Sequence, residues 1–258
     1  MGLKDKTRES TYKDLLIIEN SNVGFDSNLD QIKSGDGSGS SLYLSQDARK
    51  LQPTTDSTTL DTVYDKDGNL LFKIDSTNNY VKLGINQIHA NTQYSHFSID
   101  SKISFTFGTD HTAIPINAGN VQSFVTMGSG TNPDTSLTVS TSGDDIVSSI
   151  WYIPDAITID SVVVFLGADT ATGDTIRFHL MSFDIDISNS STGGDLSNGV
   201  VLADGSDIVS AGYEQTYYQS MTIQSSSISA GKVIMFLFKS DTSNSDYSVK
   251  ATIKYHLQ

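Results

Sequence analysis

The sequence predicts an all-β protein, and three observations carry that prediction. Apolar residues alternate with polar ones over many short runs, the period of a strand with one covered face. Clusters of Gly, Asn, Asp and Ser punctuate those runs at short intervals. The 258 residues hold four prolines, only 18% charged residues and 37% hydrophobic ones, with Ser, Thr, Asp, Asn and Gly making up much of the rest, a mix that favours turns and strands over helices. That hydrophobic share, in clear alternation, argues against disorder. The expected organisation is an N-terminal segment over 1–60, a β-meander over 61–94, a β-rich connecting region over 95–145, and a C-terminal β-sandwich, jelly-roll-like, over 146–258.

Met1–Ser10 is charged and polar, does not read as a secretory signal, and is expected to be an arm. Leu15, Leu16, Ile17 and Ile18 follow as four successive aliphatics. They read either as a buried strand or as a docking surface, because little chain surrounds them to provide a cover. Asn20–Ser41 is rich in turn formers. Its Gly35-Asp36-Gly37-Ser38-Gly39 run lacks the Lys-Ser/Thr of a phosphate loop and reads as a plain loop. Leu42 and Leu44 mark a short strand. Asp47–Thr62 is a linker candidate, with room for one helical turn at Asp47–Leu51.

Val63–Gly84 (VYDKDGNLLFKIDSTNNYVKLG) reads as a three-stranded meander. Asp67-Gly68 predicts a two-residue type I′ hairpin, and Ser76–Asn79 a second turn in which Asn takes the left-handed region. The period of two puts Leu70, Phe72 and Ile74 on one face, joined by Val81 and Leu83 past the second turn. A meander of this size buries too little apolar surface to offset its ordering entropy. It needs a cover, from its own chain or from copies of itself. Leu70, Phe72, Ile74, Val81 and Leu83 are therefore the candidate oligomer interface.

Phe97 and Ile99, then Ile103, Phe105 and Phe107, resume the alternation. Pro115 between Ile114 and Ile116 marks an edge strand. Val121–Met127 and Leu137–Val139 are further candidates. Strands are expected near Ile146–Ile153, Ile157–Leu166, Thr175–Ile187, Val200–Leu202, Tyr217–Gln224, Lys232–Phe238 and Tyr247–His256. Seven strands in so short a length predict a sandwich. Ile176, Phe178, Leu180, Val249, Ala251, Ile253 and Tyr255 should face inward. Val162–Leu166 and Val233–Phe238 are nearly continuous apolar runs, expected to be buried on both faces.

Ser21–Ser45 (SNVGFDSNLDQIKSGDGSGSSLYLS), the meander, and Ile85–Tyr94 (INQIHANTQY), taken in that order, resemble fibre proteins of tailed bacteriophages, marine ones especially. The resemblance covers about the first third of the chain. It implies a structural virion protein: a homotrimeric tail fibre or spike whose N-terminal portion attaches to phage tail or capsid proteins. Leu15–Ile18 would then be the attachment surface. The sandwich would face a host cell-surface glycan or protein, and the protein would be made in the host cytoplasm and reside on the virion. A capsid decoration or head fibre protein, and a capsule polysaccharide depolymerase, are the rival readings.

The totals bound the alternatives. Thirty acidic residues against sixteen basic ones leave a formal charge of −14, which disfavours nucleic acid and anionic membranes as partners. With no cysteine, disulfides, thiolate metal sites and cysteine catalysis are impossible. No apolar run approaches a membrane span, so no insertion is expected. His89, His96, His111, His179 and His256 show no metalloprotease spacing, and His179 and His256 are expected to point outward or across a sheet interface. Asp184 and Asp186 would share a face at a strand end, open to Ca²⁺ only if loop carbonyls joined them. Asp65-x-Asp67-x-Asn69 lacks the glycine and closing Glu of a calcium loop. Neither a β-helix repeat nor a nucleophile elbow is visible. The chain is therefore expected not to be an enzyme, with no cofactor, no metal and no catalytic residue. Sugars bind by stacking on aromatic rings, and Tyr213, Tyr217 and Tyr218, in the densest aromatic stretch, are the candidate ligand contacts.

Overall fold

A computed structural model describes residues 16–18, 25–34, 37–99, 108–116, 124–139, 143–168, 173–242 and 247–258. The chain divides into two units, Met1–Ala90 and Asn91–Gln258. Both are built from antiparallel sheets.

The first unit holds two four-stranded meanders. One runs β1 (Leu16–Ile18), β2 (Asp30–Ser34), β3 (Gly39–Leu44) and β4 (Arg49–Leu51). Leu15 lies outside the described residues. The turn-rich stretch before Ser41 thus contains a strand, and Gly37, at φ +90°, closes the β2–β3 hairpin. Asp47–Leu51 is not a helical turn. Arg49–Leu51 pairs with β3, and a ladder partner decides the conformation of so short a run.

The second meander comprises β5 (Asp61–Tyr64), β6 (Leu70–Asp75), β7 (Tyr80–Leu83) and β8 (Ile88–His89), one strand more than expected. Its first turn differs from the two-residue form. Asp65 N–H donates to the Asn69 carbonyl, and Gly68 alone is left-handed, at φ +82°. This is a three-residue turn with a glycine bulge, and the ladder register shifts beside it. Asp65 closes the turn on itself, accepting from the N–H groups of Asp67 and Asn69 and from Asn69 Nδ2. The second turn is as predicted, with Asn79 at φ 58°.

The second unit, residues 91–258, is a β-sandwich. Sheet one is ordered β16 (Gln215–Ser220), β12 (Ile157–Ala168), β20 (Tyr247–Leu257), β9 (Thr92–Ile99), with β18 (Ser227–Ile228) beside β12. Sheet two is ordered β10 (Thr112–Ile114), β19 (Lys232–Ser240), β13 (Thr175–Ile185), β14 (Leu196–Asp204), β17 (Thr222–Ile223), with β11 (Trp151–Tyr152) and β15 (Ile208–Val209) attached. Six of the seven predicted strands are there, and Ile176, Phe178, Leu180, Val249, Ala251 and Ile253 fill the space between the sheets, with Tyr255 packed against them. Strand β10 is an edge strand as its proline required, and Ile116 bridges on to Phe97 of the other sheet.

Residues 95–145 are not a mere connector. They supply most of β9, all of β10, and a cover for sheet two. Ile103, Phe105 and Phe107 lie outside the described residues, as do residues 121–123. Val125, Met127 and Ile146 pack on Met181, Phe183, Val233, Met235 and Leu237. Val233–Phe238 is accordingly buried on both faces, by the other sheet and by this segment.

Two expectations fail in the sandwich. Gly143–Ser149 is a helix, α1, rather than a strand. Ile146 is buried and Ile150, the residue after the helix, packs on the same cluster at i, i+4 spacing, while Asp145 in the first turn favours its positive end. Val162–Leu166 is covered on one face only. Val162, Val164 and Leu166 are inside, but Phe165 is 48% exposed.

Candidate functional site

The exposed side of sheet one is the feature that period-two folding places on the surface of the sandwich. Sheet two is covered on its outer side; sheet one presents Val163, Phe165 and Gly167 of β12 outward, because 162, 164, 166 and 168 point to the core. The ladder registers set their neighbours. Phe165 pairs with Tyr218 on one side and Lys250 on the other, and Lys250 pairs with Ser98. One strand step away, Gly167 pairs with Thr216 and Ser248.

These residues enclose an open hollow of about 420 Å³ lined by Ser98, Phe165, Gly167, Thr216, Ser248 and Lys250, among others. Phe165 is its aromatic wall, and Tyr218 packs against Phe165 from the neighbouring strand, with ring centroids 5.3 Å apart at 58°. Tyr218 is 62% exposed. Further along the face Lys254 pairs with Tyr94, and Thr252 with His96. His96 Nδ1 lies 3.1 Å from Thr252 Oγ1.

The floor of the hollow is Gly167, the last residue but one of β12. Gly167 sits in an unbroken ladder and its φ is not positive, so no backbone constraint requires glycine. A glycine there weakens the strand and leaves open space over the sheet. A Cβ at that position would meet Ser248 Cβ at 3.6 Å, an ordinary contact.

The candidate tyrosines divide. Tyr218 stands beside the hollow, against Phe165. Tyr217 points the other way, packs against the inter-sheet core, and accepts a hydrogen bond from Ala211 N–H at 2.8 Å. It holds the 211–217 loop. Tyr213 is exposed in that loop. Phe165, Gly167, Lys250 and Ser98 were not singled out from sequence. The signal was present in ITIDSVVVFLGA, where strict alternation from Val162 puts Phe165 and Gly167 outward together.

The first unit brings its candidates together. The registers Val63–Phe72–Leu83–Ile88 and Ile74–Val81 place Leu70, Phe72, Ile74, Val81 and Leu83 on one face of the second meander. The opposite face is polar: Lys73 lies 3.6 Å from Asp75, and Lys82 sits over the Tyr80 ring at 4.6 Å. Burial raises the Asp75 carboxyl, but hydrogen bonds from Asn78 and Tyr80 and the Lys73 charge outweigh it and hold the pKa at about 2. Among the described residues of that face, Leu70, Phe72, Ile74 and Val81 are half-buried. Val63, Leu83 and Ile88 are exposed, and Ile32 is the one buried apolar side chain among the described residues of 1–90. Leu16 is 74% exposed and Ile18 half-buried.

The acidic and histidine candidates are engaged with protein partners. Asp184 accepts from Lys232 Nζ at 2.6 Å and Asn198 Nδ2 at 2.8 Å; these bonds hold its carboxyl below the usual range. Asp186 accepts from Thr192 Oγ1 at 2.6 Å and Ser188 N–H at 2.8 Å. The two carboxylates therefore serve different contacts. His256 lies 2.9 Å from Asp160 on the outer side of sheet one, as expected. His179 does not face solvent. It is fully buried on the outer side of sheet two, against His111. Among the described residues no helix is long and apolar enough to cross a membrane.

No protein-family model matches this chain, and no curated protein matches it in sequence.

Proposed function

We propose that this chain is a structural virion protein of a bacteriophage: a trimeric fibre or spike, anchored through its N-terminal unit, that presents its sandwich to a receptor on the host. The observation that carries this reading is the apolar face of the second meander, on which Val63, Leu83 and Ile88 are exposed and no apolar side chain is fully buried. Four short strands with one greasy and one charged side do not stabilise themselves. Sister copies meeting on Phe72, Ile74, Val81 and Leu83 would supply the missing core. The resemblance of residues 21–45 and 63–94 to phage fibres supports threefold symmetry, and Leu16, exposed on the edge strand β1, gives a contact for attachment to the particle.

The strand order of the sandwich supports a jelly-roll reading. Its eight long strands, counted along the chain, fall as sixth, third, eighth, first in one sheet and second, seventh, fourth, fifth in the other. Viral capsid and lectin domains use that architecture. Binding rather than catalysis fits the engaged carboxylates and histidines described above.

Light scattering on the purified full chain tests the reading. A mass three times that of the chain, stable on dilution, is the expected result. A folded monomer at all concentrations overturns it.

A further inference from the structure

We propose that the outer face of the β16-β12-β20-β9 sheet binds an anionic polysaccharide, seating one sugar ring over Gly167 against Phe165, which Tyr218 backs, with Lys250 taking its acidic group. This rests on the receptor-binding half of the reading above and names the receptor's chemistry.

Three independent features point to this occupant. The first is shape. The hollow exists because position 167 carries no side chain, at a site where the backbone is ordinary and a Cβ would fit. Glycine inside a regular strand marks a place where something approaches the backbone closely. The second is chemistry. An exposed aromatic wall supplies a surface for the apolar face of a sugar ring. Thr216, Ser248 and Ser98 line the hollow, hydroxyl side chains of the kind that fix a ligand's orientation.

The third is charge. The chain carries thirty acidic and sixteen basic residues. Strands β9, β12, β16 and β20 reverse that balance. Their outer side bears Lys250 and Lys254, and the single carboxylate in the four strands is Asp160, which pairs with His256. A cationic strip on an otherwise anionic protein steers and orients an anionic ligand. Lys250 and Lys254 lie four residues apart on one strand, roughly 13 Å, with Tyr94 beside the second as Phe165 is beside the first. That repetition fits an extended chain of sugars rather than one ring. A protein partner of matching charge is the other occupant this face could take, and the experiment separates the two.

The test is calorimetric titration of the full-length protein with polygalacturonate, alginate, hyaluronate and dextran sulfate, with neutral dextran as control. Binding to at least one polyanion, weakened by salt and absent for dextran, is expected. Tyr218→Ala should weaken it about tenfold, the loss of one aromatic contact, and Lys250→Gln about fivefold at low salt. Gly167→Val fills the hollow with a side chain the strand accommodates, so it should abolish binding while leaving the melting temperature unchanged or raised. Absence of binding to all four polyanions overturns the inference, as does binding that survives Gly167→Val and Tyr218→Ala. Loss of the oligomer in Tyr218→Ala also overturns it, because the face is then a subunit contact. Light scattering on the same samples reports the trimer separately, so failure here and failure of the fibre reading are distinct results.

Discussion

His111 and His179 meet edge to face beneath the cover of the sandwich's second sheet, their ring centroids 4.9 Å apart. Both side chains are fully buried. His111 Nε2 lies 3.0 Å from the Gly130 carbonyl, and His179 Nε2 lies 3.3 Å from Asp204 Oδ1. Burial first, then the neighbouring His111, pushes the His179 pKa down to about 4 against the Asp204 charge. Burial lowers His111 as well. The pair is thus a neutral plug where β10 and β13 run under the 124–139 segment.

Acid should loosen this sandwich well before its carboxylates titrate. A histidine whose folded pKa is depressed binds its proton more readily when unfolded. Stability is therefore full above the ordinary value of 6.5 and falls as pH drops from there towards 4. The loss from His179 is on the order of 2–3 kcal/mol by pH 4.5. Thermal melts between pH 7.5 and 4.5 should show the sandwich transition falling by several degrees, with His179→Leu flattening the slope. An equal slope in the variant refutes the assignment.

Arg177 governs the same corner from the solvent side. Its Nε and Nη2 donate to both oxygens of Asp204, and its Nη1 to Asp207. A forked arginine on a partly covered carboxylate contributes more than a surface pair. Arg177→Gln should destabilise by about 1–2 kcal/mol. It should also raise the His179 pKa, because the guanidinium repels the imidazolium and restrains the Asp204 charge. Histidine ring shifts followed by NMR against pH would read that rise; a downward move contradicts it.

Tyr247 ties the last strand to the turn before β13. Its hydroxyl donates to Asp174 Oδ2 at 2.7 Å, and both residues are buried. Tyr247→Phe keeps the ring in the core and deletes the donor alone. Removing a donor from a buried carboxylate should cost about 1–3 kcal/mol, measurable by urea unfolding with no change in the slope m.

Most of this architecture was legible because strand period is a local property. Ile176, Phe178 and Leu180 declare their face with no knowledge of what covers it, and so do Leu70, Phe72 and Ile74. What the pattern withheld depends on partners distant in sequence. Ile146 and Ile150 fit a strand or a helix equally until the cluster on Met181 and Met235 selects the helical spacing. Phe165 and Phe236 both lie in unbroken apolar runs, yet only Phe236 is fully buried, and nothing local reveals that residues 124–146 cover one sheet and leave the other bare. His179 was hidden by the same cover. The hollow was half-visible: Tyr218 stood out as an aromatic, whereas Gly167 signals by lacking a side chain, which registers only when the ladder around it is seen to be regular.

The meander face yields the most direct mutational test of assembly. Phe72 sits at its centre, paired with Val63 and Leu83, and is half-buried in the single chain. In a lone chain Phe72→Asp would place a charge near water at small cost. In a trimer closed over this face it would bury three carboxylates together, each strongly disfavoured without a partner. The wild-type protein should therefore show a low-temperature transition whose midpoint rises with protein concentration, as assembly requires. Phe72→Asp should abolish that transition and yield monomers, while the melting of the 91–258 sandwich stays within about 0.5 kcal/mol of wild type, because the meander and the sandwich belong to separate compact units and independent sites add. A variant that keeps the oligomer would show that the copies meet elsewhere.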